Sequence, residues 1–221
     1  MTYHPSIRIL LLFAAACPIQ TSAPAQTCAP PPGFVDHAPP AIANADQLVA
    51  HTEQIVVDRP LAVVLDAGQK KLKDTIKKTS SLPGVAGDYP LNSIPFGTPG
   101  ARRLVCLTDG STLEEQVLEQ TRSSAASHFH YVVWNYTSSV AKPIEYGVGE
   151  FNDMQTDATH TRIVWTYSFK LKDHEFPGYL GAPGRYFFRA WFLDRQYAEM
   201  MRGTLQAGKR DAESFPATPA R

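Results

Sequence analysis

Apolar positions change their period along the chain, and those changes divide it into elements. His51 to Arg59 (HTEQIVVDR) carries Ile55, Val56 and Val57 in a short β-branched run stopped by Pro60, which predicts a first strand. Leu61 to Lys78 follows the helical period: Leu61, Val64, Leu65, Leu72 and Ile76 share one face and lysines take the other. Leu82 to Gly100 is broken by Pro83, Gly84, Gly87, Pro90, Pro95, Gly97, Pro99 and Gly100, so it is expected to be a loop. From Arg102 the pattern is that of strands. Arg103 to Thr108 runs into Asp109-Gly110, a hairpin signal, and Ser111 to about Arg122 is the return strand. His128 to Thr137 (HFHYVVWNYT) is rich in aromatic and β-branched residues, and Ile144 to Asn152 and Thr161 to Lys172 extend the meander. In the last of these, Ile163, Trp165, Tyr167, Phe169 and Leu171 fall on one face, with Arg162, Thr166, Ser168, Lys170 and Lys172 on the other.

Pro177 to Gly184 is a turn-rich break, after which Arg185 to about Ala212 reads as one long helix. Phe187, Trp191, Ala198, Met201 and Leu205 recur at helical spacing, and Phe188 and Phe192 thicken the first half. Strand, helix, loop, hairpin-ordered strands and a final helix predict an α+β fold, a curved antiparallel sheet wrapped around the C-terminal helix.

Charge narrows the partner. Lys plus Arg and Asp plus Glu number 21 each, so the net charge is zero and no basic footprint for nucleic acid exists. There is likewise no general attraction to anionic membranes. The N-terminus reads as a targeting signal. Ile9 to Ala16 (ILLLFAAA) has the length of a signal-peptide apolar core, and Ala23-Pro24-Ala25 supplies the small residues of a cleavage site before Gln26. Lipidation at Cys17, after Ala14-Ala15-Ala16, is the second option. The expected organisation is a signal peptide over 1–25, a Pro-rich leader over 26–50, a domain over 51–213 and a tail over 214–221. The expected location is secreted or periplasmic, or membrane-anchored through Cys17, with no transmembrane segment in the mature form.

Cys28 and Cys106 remain after such processing, either as one disulfide or as two thiols; both readings stand open. No paired Cys spacing or His/Cys metal pattern occurs, and no cofactor is expected. There is no Gly-Xaa-Ser-Xaa-Gly elbow, Walker loop or dinucleotide fingerprint. Asn135-Tyr136-Thr137 is a glycosylation sequon placed mid-strand.

The order of Leu82-Pro83-Gly84-Val85, Phe96-Gly97-Thr98-Pro99-Gly100, Arg102 to Val105 with Asp109 to Thr112, Glu115 to Glu119 and Trp165 to Phe169 before a long helix resembles the START-like, or SRPBCC, superfamily of polyketide cyclase/dehydrase-like and lipid-transport-like proteins. The resemblance spans roughly Glu53 to Ala212, and it departs from common members in the export signal and the leader. It implies a helix-grip fold with an apolar cavity between sheet and helix. Expected lining residues are Trp134, Tyr136, Tyr146, Trp165, Tyr167, Phe187 and Trp191, whose rings bring apolar area while Tyr and Trp keep a polar handle. The alternative for each is a filled core.

Glu150 shares strand parity with Tyr146 and could be an inward acid or base, or else an exposed carboxylate paired with Arg162. Tyr167 and His130 are the other acid/base candidates. His128 and His130 share a strand face, without an evident third ligand for a metal. Arg102 and Arg103 could anchor an anion at the cavity mouth. Three functions follow: an exported binder of a hydrophobic or aromatic small molecule, lipid or polyketide-like; a cyclase or dehydratase working in the same cavity; or an envelope accessory protein acting through its surface.

Overall fold

Strands β1 (Val49–Val57), β2 (Val85–Pro90), β3 (Arg102–Leu107), β4 (Thr112–Arg122), β5 (Ala126–Trp134), β6 (Ile144–Gln155) and β7 (Thr161–Leu171) form one antiparallel sheet in a computed structural model that describes residues 28–70 and 72–216. The expected signal segment, its Cys17 and the end of the expected tail lie outside the described residues. The order is β1-β7-β6-β5-β4-β3-β2: a meander with β1 added to its last strand. Between β1 and β2 lie α1 (Leu61–Ala67) and α2 (Leu72–Thr75). After β7 a helix runs without a break through α3 (Ala182–Phe188), a π-helical stretch (Arg189–Tyr197) and α4 (Ala198–Ser214). The sheet curls around this helix in a helix-grip α+β arrangement.

The local chemistry explains most elements. Gly110 takes φ 85° in the turn between β3 and β4, a left-handed conformation that glycine adopts without strain. Leu107 N–H donates to Ser111 O at 2.8 Å to close that turn. Two expectations fail here. Val85–Pro90 is not loop but an edge strand, its Pro90 on the outermost strand, where a missing donor is tolerated. The single helix expected over 61–78 is two short ones, because Gly68 ends the first.

The inner face of the sheet is buried, and so is the part of the outer face that the arm covers. The inner face carries Tyr131, Val133, Trp165, Tyr167 and Phe169 against Phe188, Phe192, Leu193, Met201 and Leu205 of the helix. The outer face carries Val132, Trp134, Tyr146 and Val148, packed by Ala43 and Leu48 of the Pro-rich arm. A Cys28–Cys106 disulfide ties that arm to β3. Further along, Arg102 reaches Asp36 and donates to His37 O at 2.6 Å, and Ala43 N–H donates to Tyr146 Oη at 2.7 Å.

Candidate functional site

Between the inner face of the sheet, α1, α2 and the C-terminal helix lies a cavity of about 660 Å³. Strand register lays its wall in rows. Tyr131, Gly149 and Tyr167 are neighbours in one row, and Phe129, Phe151 and Trp165 in the next. The row beyond holds Ser127, Asp153 and Ile163. Phe151 stacks on Trp165 at 4.7 Å between centroids.

Two glycines make the first rows possible. A Cβ at Gly149 would stand 2.1 Å from Tyr131 Cζ, and one at Gly147 would stand 2.6 Å from Tyr167 Cε1 and 2.8 Å from Tyr136 Oη. Those positions are left without side chains so that rings from neighbouring strands can lie across β6. The result is a group of four phenols, Tyr131, Tyr136, Tyr167 and Tyr197, at the sheet–helix junction. Tyr167 and Tyr197 rings are 4.8 Å apart. Burial pushes all four hydroxyls above the ordinary phenol range, and the Glu115 charge adds to the effect on Tyr131, Tyr136 and Tyr197. At neutral pH they are therefore un-ionised hydrogen-bond donors.

Beside them Arg103 Nε donates to Glu115 Oε2 at 2.6 Å, a buried pair formed by directly opposed residues of β3 and β4. Phe96 lies over the guanidinium at 3.4 Å and meets Phe129 edge-on, so it covers the charge at the rim. Two polar contacts tie the inner-face rings to one another. Tyr136 Oη meets the Tyr167 hydroxyl, and Trp165 Nε1 meets the Tyr131 hydroxyl, contacts that partly offset the effect of burial on Tyr136 and Tyr131. At the far row, desolvation raises the Asp153 carboxyl to about 6 against the pull of Arg122. Its Oδ1 is buried with no hydrogen-bond partner among the described residues.

Of the expected lining residues, Tyr136, Trp165 and Tyr167 stand on this wall. The other four do not. Trp134 and Tyr146 are buried on the outer face, where Arg102 sits over the Trp134 ring at 5.3 Å. Trp134 and Tyr136 are two apart yet face opposite ways because Asn135, at φ 52°, breaks the alternation of the strand. Phe187 and Trp191 are exposed, at 46% and 56%, and belong with Phe176 and Tyr179 to an aromatic surface group. The π-helical stretch accounts for this shift: its wider turn aligns residues five apart, bringing Phe192 and Tyr197 to 5.9 Å. The buried line is therefore Phe188, Phe192, Tyr197, Met201 and Leu205.

Glu150 and His130 also point outward. Glu150 receives hydrogen bonds from Asn152 Nδ2 and pairs with His128 Nε2, both at 3.1 Å. The Asn152 bond first, then His128, hold its carboxyl below the usual range, the opposite of a raised inward acid. Its expected partner Arg162 faces Met154 instead. Among the described residues no cluster of three metal-ligating side chains occurs, the His128/His130 pair included. Arg102 and Arg103 separate: only Arg103 reaches the cavity. Glu115, Tyr131, Tyr197 and Asp153 were missed in the sequence, although Tyr131 alternates correctly with Phe129 and Val133.

No family model matches the sequence, and no curated protein matches it. Among solved structures, the fold is similar to the crystal structure of Ara h 8.0201, with a TM-score of 0.52 and 15% identity over 76% of this chain and 99% of that one. It is similar to the di-domain ARO/CYC StfQ from the steffimycin biosynthetic pathway, at 0.51 and 16% over 76% of this chain and 52% of that one. The di-domain ARO/CYC BexL from the BE-7585A biosynthetic pathway gives 0.50 and 20%, over 78% of this chain and 52% of that one. At these identities the likeness establishes the helix-grip fold.

Proposed function

We propose that the chain binds an elongated hydrophobic or aromatic small molecule in this cavity. The observation that carries the reading is a space of about 660 Å³ walled by the rings of Phe129, Phe151 and Trp165 and by four un-ionised phenols. A carbonyl or ether oxygen of a bound molecule would accept from a phenol while its body lies against Phe129, Phe151 and Leu205. StfQ and BexL belong to biosynthetic pathways, and a polyketide-like molecule is one instance of the ligand class proposed for this chain. Native mass spectrometry of the purified protein should show a non-covalent adduct of a few hundred daltons, or uptake of one on incubation with hydrophobic extracts. A protein that stays at its bare mass and takes up no hydrophobic dye would end this reading.

One observation favours a catalytic extension. Glu115 is a carboxylate held among un-ionised phenols, an arrangement in which a base and several proton donors face one substrate. A cyclase or dehydratase acting on a poly-β-carbonyl chain would use Glu115 to take a proton from a carbon between two carbonyls. The phenols would donate hydrogen bonds to the enolate oxygen. Incubation with a synthetic polyketone mimic should then give an aromatic product that Glu115→Gln does not form; equal product with and without protein removes the extension.

A further inference from the structure

The cavity has two polar ends. At one stand the phenols; at the other stands Asp153, in the row of Ser127 and Ile163. Asp153 lies four positions along β6 from Gly149, a spacing of about 13 Å at strand rise. Between the ends lie the rings of Phe129, Phe151 and Trp165, with Gln120 of β4 at the edge of their row.

Asp153 is an unusual wall residue. Oδ1 is buried and accepts nothing among the described residues, although the residue lines the space. The charges around it do not complete it. Arg122 of β4 lies in the same cross-strand row beyond Ser127 and lines the same space, but it is exposed and makes no ion pair with Asp153. Lys70, beyond α1, is joined to Asp211 of α4 at 2.8 Å, so that pair brings no net charge. Desolvation acts on the carboxyl more strongly than Arg122 does. A buried acceptor in an apolar wall is completed best by a donor that also carries positive charge, since charge-assisted hydrogen bonds are about twice as strong as neutral ones. An anion would be repelled there, and a neutral hydroxyl would satisfy the lone pairs without the charge.

We infer that Asp153 recognises a basic nitrogen, so that the ligand is an elongated amine with its ammonium at Asp153 and its apolar body over the Phe129–Phe151–Trp165 row. This rests on the cavity-binding reading above and narrows its ligand class.

Three probes of one length and different head charge test it: 6-phenylhexylamine, 6-phenylhexan-1-ol and 6-phenylhexanoic acid, titrated at pH 7.5 against the neutral dye N-phenyl-1-naphthylamine. The amine should displace the dye about tenfold more tightly than the alcohol, and the acid most weakly. Asp153→Asn should erase the preference for the amine while the alcohol stays within about threefold. Asp153→Ala gives the same readout if the asparagine variant does not fold. An amine no tighter than the alcohol, with the dye bound, overturns the inference and leaves cavity binding standing. So does an amine preference that survives both substitutions. A dye that does not bind at all overturns cavity binding and this inference together.

Discussion

Arg103 donates to Glu115 at 2.6 Å inside the cavity, while Arg102 and Glu114, one residue earlier on each strand, pair at 2.8 Å on the opposite face. The alternation of the two strands thus places one Arg–Glu pair on each side of the same sheet. The outer pair is completed by the arm: Glu114, fully buried, also accepts from Asn135 Nδ2 at 2.8 Å and His37 N–H at 3.2 Å. The inner pair is covered by rings, with Phe96 over the guanidinium, and stands on the wall of the cavity.

Arg103→Met should therefore destabilise the protein by about 3–5 kcal/mol, because it strands the Glu115 carboxylate without a cation. Arg103→Met with Glu115→Leu should recover most of that loss. Urea unfolding of the wild type and both variants checks it; an Arg103→Met variant as stable as the wild type would place Glu115 in water.

Asp153 gives a stability that depends on pH in the unusual direction. Its carboxyl sits near 6 in the folded chain against an ordinary value of 3.8, so the folded state holds its proton more tightly than the unfolded state. Stability associated with this group is then fully present below about pH 4 and is lost as pH rises through 6. Asp153→Asn should match the wild type near pH 4 and exceed it by about 2–3 kcal/mol at pH 7.5 in the absence of ligand. An equal difference at both pH values would show that the carboxyl is not desolvated.

The π-helical turn assigns opposite roles to adjacent residues. Phe192→Ala should cost about 3–5 kcal/mol, since its ring is buried against Phe169 and Phe188. Trp191→Ala should change stability by no more than about 0.5 kcal/mol, as expected of an exposed side chain. Thermal melts of both decide it, and the reverse order would mean a regular α-helix at this point.

Replacing Cys28 and Cys106 by serine should lower stability by about 2–5 kcal/mol and loosen the arm. Hydrogen exchange should then quicken at the outer-face strands β5 and β6 around Trp134 and Tyr146, which the arm covers. Unchanged exchange there would show that the arm holds without its covalent tie.

Export is the remaining expectation, and it rests on the Ile9 to Ala16 run and Ala23-Pro24-Ala25 alone. N-terminal sequencing of the mature protein should begin at Gln26. A soluble cytosolic form that retains Met1 would contradict it, and a lipid-bearing Cys17 would replace it with an anchored form.

The sequence by itself determined the fold class, because hydrophobic period and turn chemistry are local. The Asp109-Gly110 turn, the one-sided pattern of Ile163 to Leu171 and the length of the last helix are legible from neighbours within a few positions. The shared parity of Tyr146 and Glu150, and of His128 and His130, was legible too; which face that parity meant was not. On β5 and β6 both faces carry aromatic rings because both are covered, the inner by the helix and the outer by the arm. Alternation then separates two sets of residues without telling inside from outside. Only the tertiary structure decided that question, through the arm's disulfide, the left-handed Asn135 and the π-helical turn. Each of these shifts or hides a face through geometry that no local period encodes, which is why Glu115, Tyr131, Tyr197 and Asp153 came into view only once the chain was folded.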